Sequence, residues 1–196
     1  MTAEAVIPSM TSSLPDWVFP PPGGFTAESL DHLPDLPAHT ELIDGSLVFV
    51  SPQRAFHSTI LFVLQKELVK SVPPGFRVRR EMSIILDSSQ RPEPDLIILR
   101  PETEINRDTT SFSAKDVLLV VEVVSPESAV RDRKRKPQLY AEAGIPHFWR
   151  IEDTVVHVYE LDAPNPVYAV TGIHHDRLKL SVPFDLDIDL TEVDAL

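Results

Sequence analysis

The chain contains no cysteine, and this absence removes several chemical classes at once. Without thiols it can form no disulfide, no thiolate nucleophile and no zinc–sulfur site. No apolar stretch approaches the roughly 18 residues that a membrane helix requires, and the N-terminus lacks the basic start and apolar core of a signal peptide. We therefore expect a soluble protein with a cytoplasmic address and no membrane partner.

Basic residues are also scarce, since 18 lysines and arginines face 30 aspartates and glutamates, which gives a formal net charge of −12. Proteins that grip phosphate backbones usually carry a basic footprint. Here the basic residues form one dense cluster, over residues 131–136, and a lesser one at Arg77, Arg79 and Arg80. This balance disfavours tight, salt-sensitive DNA binding by a monomer, but it is compatible with a weak or partner-dependent nuclease.

The chain has the length of one ordinary domain with a real core. Residues 1–24 hold many prolines and end in Pro-Pro-Pro-Gly-Gly, which predicts an extended N-terminal arm. Residues 25–196 form the predicted single domain. No internal repeat interrupts it.

Hydrophobic patterning predicts an α/β fold, a mixed β-sheet flanked by helices. Asp44-Gly45 is a strong turn signal and predicts a hairpin over residues 41–50. Helices are predicted over 55–70 and 130–143, the second ending at Gly144. Residues 100–116 are predicted to be irregular. The further strands are predicted over about 76–86, 95–99, 117–124, 147–151, 155–161 and 167–170.

Two acidic residues, Asp95 and Glu122, stand at or within short apolar runs that are typical of buried strands. A carboxylate in such a run is costly unless something pairs with it. Asp95 also fits a turn or capping aspartate, and Glu122 also fits a structural salt bridge. A shared Mg²⁺ is the functional interpretation of the pair, because this ion takes oxygen ligands and keeps several waters. Mn²⁺ is expected to substitute for it.

The basic segment supplies the candidate lysine. Asp132, Lys136 and Tyr140 lie four residues apart and share one helix face, and the aromatic side chain indicates that this face points partly inward. Pro137 predicts either a kink or a helix that starts afresh with the proline in its first turn. Lys136 is therefore the lysine expected at the metal site, with Lys134 as the substitute candidate.

Several of these motifs together resemble the Uma-two family of restriction-endonuclease-like proteins. The resemblance covers about residues 25–193. The residues that carry it, in order, are Glu41-Leu42-Ile43-Asp44-Gly45, His57, Pro94-Asp95, Glu122-Val123-Val124-Ser125-Pro126, Asp132, Lys136, Tyr140, Gly144-Ile145-Pro146 and Trp149.

This resemblance implies the PD-(D/E)XK superfamily, with its restriction-endonuclease-like fold and Mg²⁺-dependent nuclease core. Asp95 matches the "PD" element and Glu122 matches the second acidic position. The superfamily lysine would fall at Val124, which departs from the pattern. Family members commonly place that lysine on the following helix, and Lys136 matches it there.

Two further residues enter only through the resemblance. Glu41 and His57 match family positions near the site, as a supporting carboxylate and a histidine that orients water or phosphate. Pro137 and Arg150 look less typical of the family. The resemblance also implies a DNA substrate and a homodimer, since many superfamily nucleases cut two strands with two sites.

The preferred hypothesis is thus a Mg²⁺-dependent endonuclease acting on DNA. Asp95 and Glu122 would hold the metal, and Lys136, His57 and Glu41 would complete the catalytic set. The rival is a catalytically inactive scaffold or assembly protein that keeps the nuclease fold, which the net charge and the lysine missing from position 124 favour. A hydrolase built on serine and histidine is disfavoured because the sequence has no Gly-x-Ser-x-Gly elbow.

Overall fold

The computed structural model describes residues 15–195, and of Asp16 it describes the backbone alone. Residues 1–14 of the predicted arm lie outside this range. Residues 15–24 include a short 3-10 helix, Asp16–Val18, and the Trp17 ring lies edge-on to Phe49 with 6.1 Å between ring centroids. Across residues 15–195, none of the helices combines the length and apolar character that a membrane crossing needs.

The described residues form four α-helices and twelve strands. The helices are α1 (Ser29–His32), α2 (Ala55–Ser71), α3 (Lys136–Glu142) and α4 (Glu192–Ala195). The strands are β1 (Glu41–Ile43), β2 (Ser46–Val48), β3 (Arg77–Arg80), β4 (Ser83–Ile85), β5 (Leu96–Leu99), β6 (Ser111–Ser113), β7 (Val117–Val123), β8 (His147–Glu152), β9 (Val155–Asp162), β10 (Val167–His174), β11 (Arg177–Leu180) and β12 (Leu186–Asp189).

A six-stranded sheet, in the order β10-β9-β8-β7-β5-β3, forms the centre of the fold. Its neighbours pair antiparallel except for β7 and β8, which are parallel. The predicted mixed sheet flanked by helices is confirmed. The parallel step follows from the chain between β7 and β8, which crosses back through α3.

Helices cover both faces of this sheet, which explains why β5 and β7 are apolar throughout. Leu96 and Val121 pack on the α2 side, in a cluster with the helix residue Leu64. Ile97 and Val120 point the other way and join a second cluster on the α3 side. Full burial of each such side chain contributes about 1.5–3 kcal/mol, so two apolar layers hold the strand ends firmly.

Three secondary-structure predictions were wrong. The predicted strand 76–86 is broken at Glu81, whose φ of 52° no strand accommodates, so β3 joins the central sheet and β4 leaves it. Residues 100–116 are not wholly irregular, because β6 pairs parallel with β4. The third error is an omission, because the hairpin of β11 and β12 was not predicted.

The β1–β2 hairpin forms as the Asp44-Gly45 signal predicts. Asp44 and Gly45 have φ values of 51° and 69°, the left-handed conformation that a two-residue hairpin turn requires. Asp44 then accepts hydrogen bonds from Gln90 Nε2, at 2.7 Å, and from Arg135 Nε, at 2.9 Å. The hairpin is thereby held against the segment that precedes α3, and β1 delivers Glu41 toward the sheet end.

The segment before α3 shows what Pro137 does. Arg131–Arg135 form one π-helical turn, and α3 begins at Lys136 with the proline in its first turn. Residues 129–130 are helical as well, and Arg135 keeps helical φ and ψ of −74° and −48°, so the helix runs through the proline and the predicted fresh start is not observed. The wider π-helical turn lies where the proline ring would meet the carbonyl of Arg133 and where its missing N–H interrupts the α-helical bonds. Gly144, with φ of 76°, follows the end of α3 as predicted.

Candidate active site

The strand register brings the two predicted carboxylates together. In the antiparallel pair of β5 and β7, Leu96 lies opposite Val121, so the residue before β5 meets the residue after Val121. These residues are Asp95 and Glu122. Residues directly opposite in an antiparallel pair project from the same face of a sheet. Two carboxylates that are far apart in the chain thus share one end of the sheet.

Asp95 is bound through both of its carboxylate oxygens. Its Oδ1 lies 2.8 Å from Nε2 of His57, and its Oδ2 accepts the backbone N–H of Val123 at 2.6 Å. His57 belongs to the first turn of α2, and this N-terminal end of the helix lies at the same corner of the sheet as Asp95. The side chain of Asp95 is therefore fixed in orientation while one edge of it still faces the cleft described below.

Glu122 is bound by a lysine and a tyrosine that both come from α3. The Lys136 ammonium lies 3.0 Å from Glu122 Oε1, and the Tyr140 hydroxyl donates to the same oxygen at 2.6 Å. The ammonium also lies 2.8 Å from Oε1 of Glu41 on β1. Side chains from a strand, a helix and the hairpin thus meet at one buried cation.

The shared helix face predicted for residues 132, 136 and 140 is also observed. Asp132 is 2% exposed, and its Oδ1 lies 3.6 Å from the Lys136 ammonium without a hydrogen-bond partner. Its Oδ2 accepts the hydroxyl of Ser128 in a short hydrogen bond. The sequence analysis placed Asp132 on the helix face of Lys136 but did not name it as a residue of the site. The four-residue spacing was the signal that could have found it.

Burial sets the electrostatics of these groups. It raises the pKa of Glu122 well above its usual value, with the Lys136 ammonium opposing the shift, and it raises the pKa of Asp132 likewise. Burial alone would lower the pKa of Lys136, but the carboxylates of Glu122, Glu41 and Asp132 outweigh it and raise that pKa well above its usual value. The lysine therefore stays protonated at any physiological pH.

Lys134, the substitute candidate, does not reach this cluster. Its side chain is exposed and lines a separate groove beside Gln138 and Tyr168. Lys136, by contrast, is 4% exposed. The π-helical turn that ends at Arg135 determines which of the two lysines points at the sheet.

Glu93 and His39, which the sequence analysis did not name, continue the chain of contacts from Glu41 away from the cleft floor. The backbone N–H of Glu93 donates to Glu41 Oε1 at 2.9 Å, and the Glu93 carboxyl lies 2.5 Å from Nδ1 of His39. Burial raises the pKa of Glu93, and the hydrogen bond to Glu93 raises the pKa of His39. Both residues lie outside any strand or helix, where hydrophobic periodicity gives no signal.

A cleft of about 590 Å³ opens above these side chains. Its lining includes all five residues predicted for the site, namely Glu41, His57, Asp95, Glu122 and Lys136. All five are at most 9% exposed, so they form the floor of the cleft rather than its rim. A volume of this size lies in the range of sites that enclose a small molecule.

The donor set fits a hard divalent cation. Carboxylate oxygens are the ligands that Mg²⁺ prefers, and two can suffice because the ion keeps several waters. The buried carboxylates of Glu41, Asp95, Glu122 and Asp132 outnumber the single buried lysine, so the floor has room for more positive charge. No three histidine, aspartate or glutamate side chains in residues 15–195 converge in a geometry ready to hold an ion. The fit therefore rests on two carboxylates and charge balance.

Comparison with known proteins identifies the family. The model of the Uma2 family, described as "Putative restriction endonuclease", matches residues 27–191. The chain belongs to this family. The resemblance noted from the motifs is thus confirmed, and the Uma2 match spans the hairpin, both carboxylates and α3.

A solved structure shows the same fold. The crystal structure of a putative nuclease belonging to DUF820 from Anabaena variabilis matches this Uma2 chain with a TM-score of 0.69 and 17% sequence identity. The match covers 87% of this chain and 98% of that one. At this identity the likeness establishes the restriction-endonuclease-like fold. No curated protein shows significant similarity to the chain.

Proposed function

We propose that this Uma2 protein is a metal-dependent endonuclease that hydrolyses DNA phosphodiester bonds. The observation that carries the proposal is the convergence of Asp95, Glu122 and Lys136 on the floor of one cleft. Two carboxylates and a protonated lysine are the groups that phosphodiester hydrolysis by this fold requires. Membership of a restriction endonuclease family supports DNA as the substrate.

Asp95 and Glu122 would hold Mg²⁺, or Mn²⁺ in its place. When bound, such an ion lowers the pKa of water and offsets the negative charge that develops on the phosphorus centre. The chain must keep both carboxylates oriented for this. The hydrogen bonds from His57 and from the Val123 N–H fix Asp95, and the Tyr140 hydroxyl fixes Glu122.

Lys136 would act as a fixed positive charge rather than as a base, since the surrounding carboxylates keep it protonated. Its ammonium has three donors, and the contact with Glu41 holds it at the cleft floor. There it can donate to a phosphate oxygen or to the attacking water. Such a preorganised donor in a water-poor site stabilises developing charge far better than one in solution.

The decisive test is cleavage of supercoiled plasmid and of single-stranded DNA with Mg²⁺ or Mn²⁺. We expect Asp95→Asn and Glu122→Gln each to lower the cleavage rate by at least about a hundredfold, because each removes a charge needed at the metal. Glu142→Gln, an exposed carboxyl on α3, is the matched control and should keep full activity. Cleavage that survives both site substitutions, or cleavage of no DNA form, would contradict the proposal.

A catalytically inactive scaffold is the second candidate. Two observations favour it: Lys136 already pairs with Glu41 and Glu122, and the chain carries a net charge of −12. Calorimetric titration with Mn²⁺ separates the two candidates. A nuclease should bind the ion and lose it on Glu122→Gln, whereas a scaffold should be indifferent to it.

We also propose that residues 25–196 act as a single nuclease-like domain and that two copies associate, as the family resemblance implies. The family match, which begins at residue 27, supports the proposed domain start. Sedimentation analysis of the purified chain tests the association.

A further inference from the structure

The wall of the cleft carries exposed aromatic side chains directly above the charged floor. Phe49 follows β2 and is 50% exposed, and Phe56 lies in the first turn of α2 and is 36% exposed. Both line the cleft, together with Val50, which is 43% exposed. Single exposed apolar residues are ordinary, but three in the lining of one cleft give an apolar ligand group a surface to pack on.

We infer that the cleft binds unpaired nucleotides, with one base stacked on Phe49, another on Phe56, and a phosphate at the Lys136 floor. The inference rests on the proposed nuclease function and names its substrate as single-stranded DNA, or a single-stranded stretch within a duplex. Aromatic rings bind bases of any sequence, because every base presents a flat π face.

The depth of the reacting groups supports this substrate. Glu122 and Lys136 are 2% and 4% exposed, so a phosphate has to enter the cleft to reach them. In a duplex the bases are stacked inside the helix, and their flat faces are closed to a protein side chain. An unpaired nucleotide can place its phosphate on the floor and its base against the wall in one step.

The small number of cations in the cleft also favours single-stranded DNA over a duplex. Of its arginines, Arg133 pairs with Glu152 at 2.5 Å, and Arg54 lies 3.8 Å from Glu127. Arg131 keeps a buried Nε without a hydrogen-bond partner. Duplex binding draws most of its strength from many phosphate contacts, for which these few cations are too sparse. Stacking supplies affinity that does not depend on a basic surface.

The orientation of one ring is already fixed before any ligand arrives. Trp17 packs against Phe49 with 6.1 Å between the ring centroids and 60° between the ring planes, and Phe49 is still 50% exposed. A ring held in place loses less conformational freedom on binding than a mobile one.

The test measures binding of a fluorescein-labelled 12-nucleotide DNA by anisotropy, with Ca²⁺ in place of Mg²⁺, so that the carboxylate-rich floor has a divalent cation while cleavage is suppressed. We expect the single strand to bind at least about ten times more tightly than the duplex of the same sequence, with shallow dependence on salt. Phe49→Ala and Phe56→Ala should each weaken single-strand binding by about 5- to 150-fold, the range measured for loss of one base–aromatic stack.

Two further variants guard against misfolding. Phe56→Leu keeps an apolar side chain at the start of α2 and removes the ring, so it should also weaken binding. Phe62→Ala removes a phenylalanine that is 54% exposed on the same helix but outside the cleft lining, and it should bind as the wild type does.

Binding and cleavage together separate this inference from the proposed function. Duplex binding as tight as single-strand binding, or phenylalanine variants that bind like the wild type, would overturn the unpaired nucleotide even if the protein cuts DNA. A protein that binds single strands through both phenylalanines but cuts no DNA with any metal would support the inference and refute the proposed hydrolysis.

Discussion

Asp95 and Glu122 lie opposite each other at one end of the same two strands, but the groups around them differ in charge. On the Asp95 side, His57 and a backbone N–H bind the carboxylate. On the Glu122 side, Lys136 stands among three carboxylates, those of Glu122, Glu41 and Asp132.

The difference shows that the excess negative charge of the site lies around Glu122 and Lys136. One ammonium cannot neutralise three carboxylates. Burial raises the pKa of Glu122 and of Asp132, Lys136 opposes both shifts, and the neighbouring carboxylates add to them. The Glu122 side is therefore the part of the site whose stability depends on a cation, and the Asp95 side is the part that hydrogen bonds hold ready.

The largest expected loss of folding stability comes from removing the Lys136 ammonium. Lys136→Met should lower the free energy of unfolding by about 3–5 kcal/mol, because it leaves buried carboxylates without a counter-charge. Urea denaturation measures the loss. Lys134→Met, at an exposed position two residues away, is the matched control and should change stability by less than about 0.5 kcal/mol. Equal stability of the two variants would mean that the carboxylates are neutral and that the contrast between the two sides does not exist.

A smaller effect is expected from the tyrosine that binds Glu122. Tyr140→Phe should cost about 1.5–3 kcal/mol, the range for a hydrogen bond to a charged group. Tyr168→Phe provides the comparison, because the Tyr168 hydroxyl donates to the neutral backbone carbonyl of Ile145 at 2.8 Å and should cost about 0.5–1.5 kcal/mol. Urea denaturation of both variants at neutral pH measures the two losses of stability. If the two losses match, Glu122 does not carry the charge assigned to it.

The smallest effect lies at the outer edge of the Glu122 side, in the pair of His39 and Glu93. The hydrogen bond to Glu93 raises the pKa of His39 above its usual 6.5, so His39 stays protonated to a higher pH in the folded state than in the unfolded state. The resulting stabilisation is complete below about pH 6.5 and is lost as the pH rises through the raised value. Burial also raises the pKa of Glu93, so its contribution weakens with rising pH as well.

Wild type should therefore exceed His39→Gln in stability at pH 6 and match it at pH 9. The difference should be at most about 1 kcal/mol, because the His39 side chain is 52% exposed and solvent screens the pair. Urea midpoints at the two pH values measure it. In a Glu93→Gln background the pH dependence should disappear, and its persistence there would assign it to another group.

The sequence predicts one side of this comparison better than the other. Asp95 and Glu122 stand out because apolar strands frame them, and buried strands leave a clear pattern. Lys136 and Tyr140 follow from helical spacing. The choice between Lys136 and Lys134 depends on Pro137, whose effect on the helix the sequence left open between two outcomes.

The residues that sequence reasoning missed are held by contacts between distant loops. Glu93 reaches Glu41 across 52 residues of chain, and neither His39 nor Glu93 lies in a periodic segment. Asp132 was visible as a spacing marker, but its burial depends on the π-helical turn around it. Local pattern cannot reveal a neighbour that only the tertiary fold brings near.

The hydrogen bonds from the Arg135 guanidinium to the Asp44 carboxylate join residues that are 91 positions apart. Arg135 is followed directly by Lys136, which contacts Glu41. Closing a loop of this length carries an entropic cost that the contact has to repay. A growing chain carries Glu41, Asp95 and Glu122 before it carries the lysine that binds two of them. The order of synthesis thus delays assembly of the site until α3 has been made, although β8 to β10 of the central sheet are still to follow.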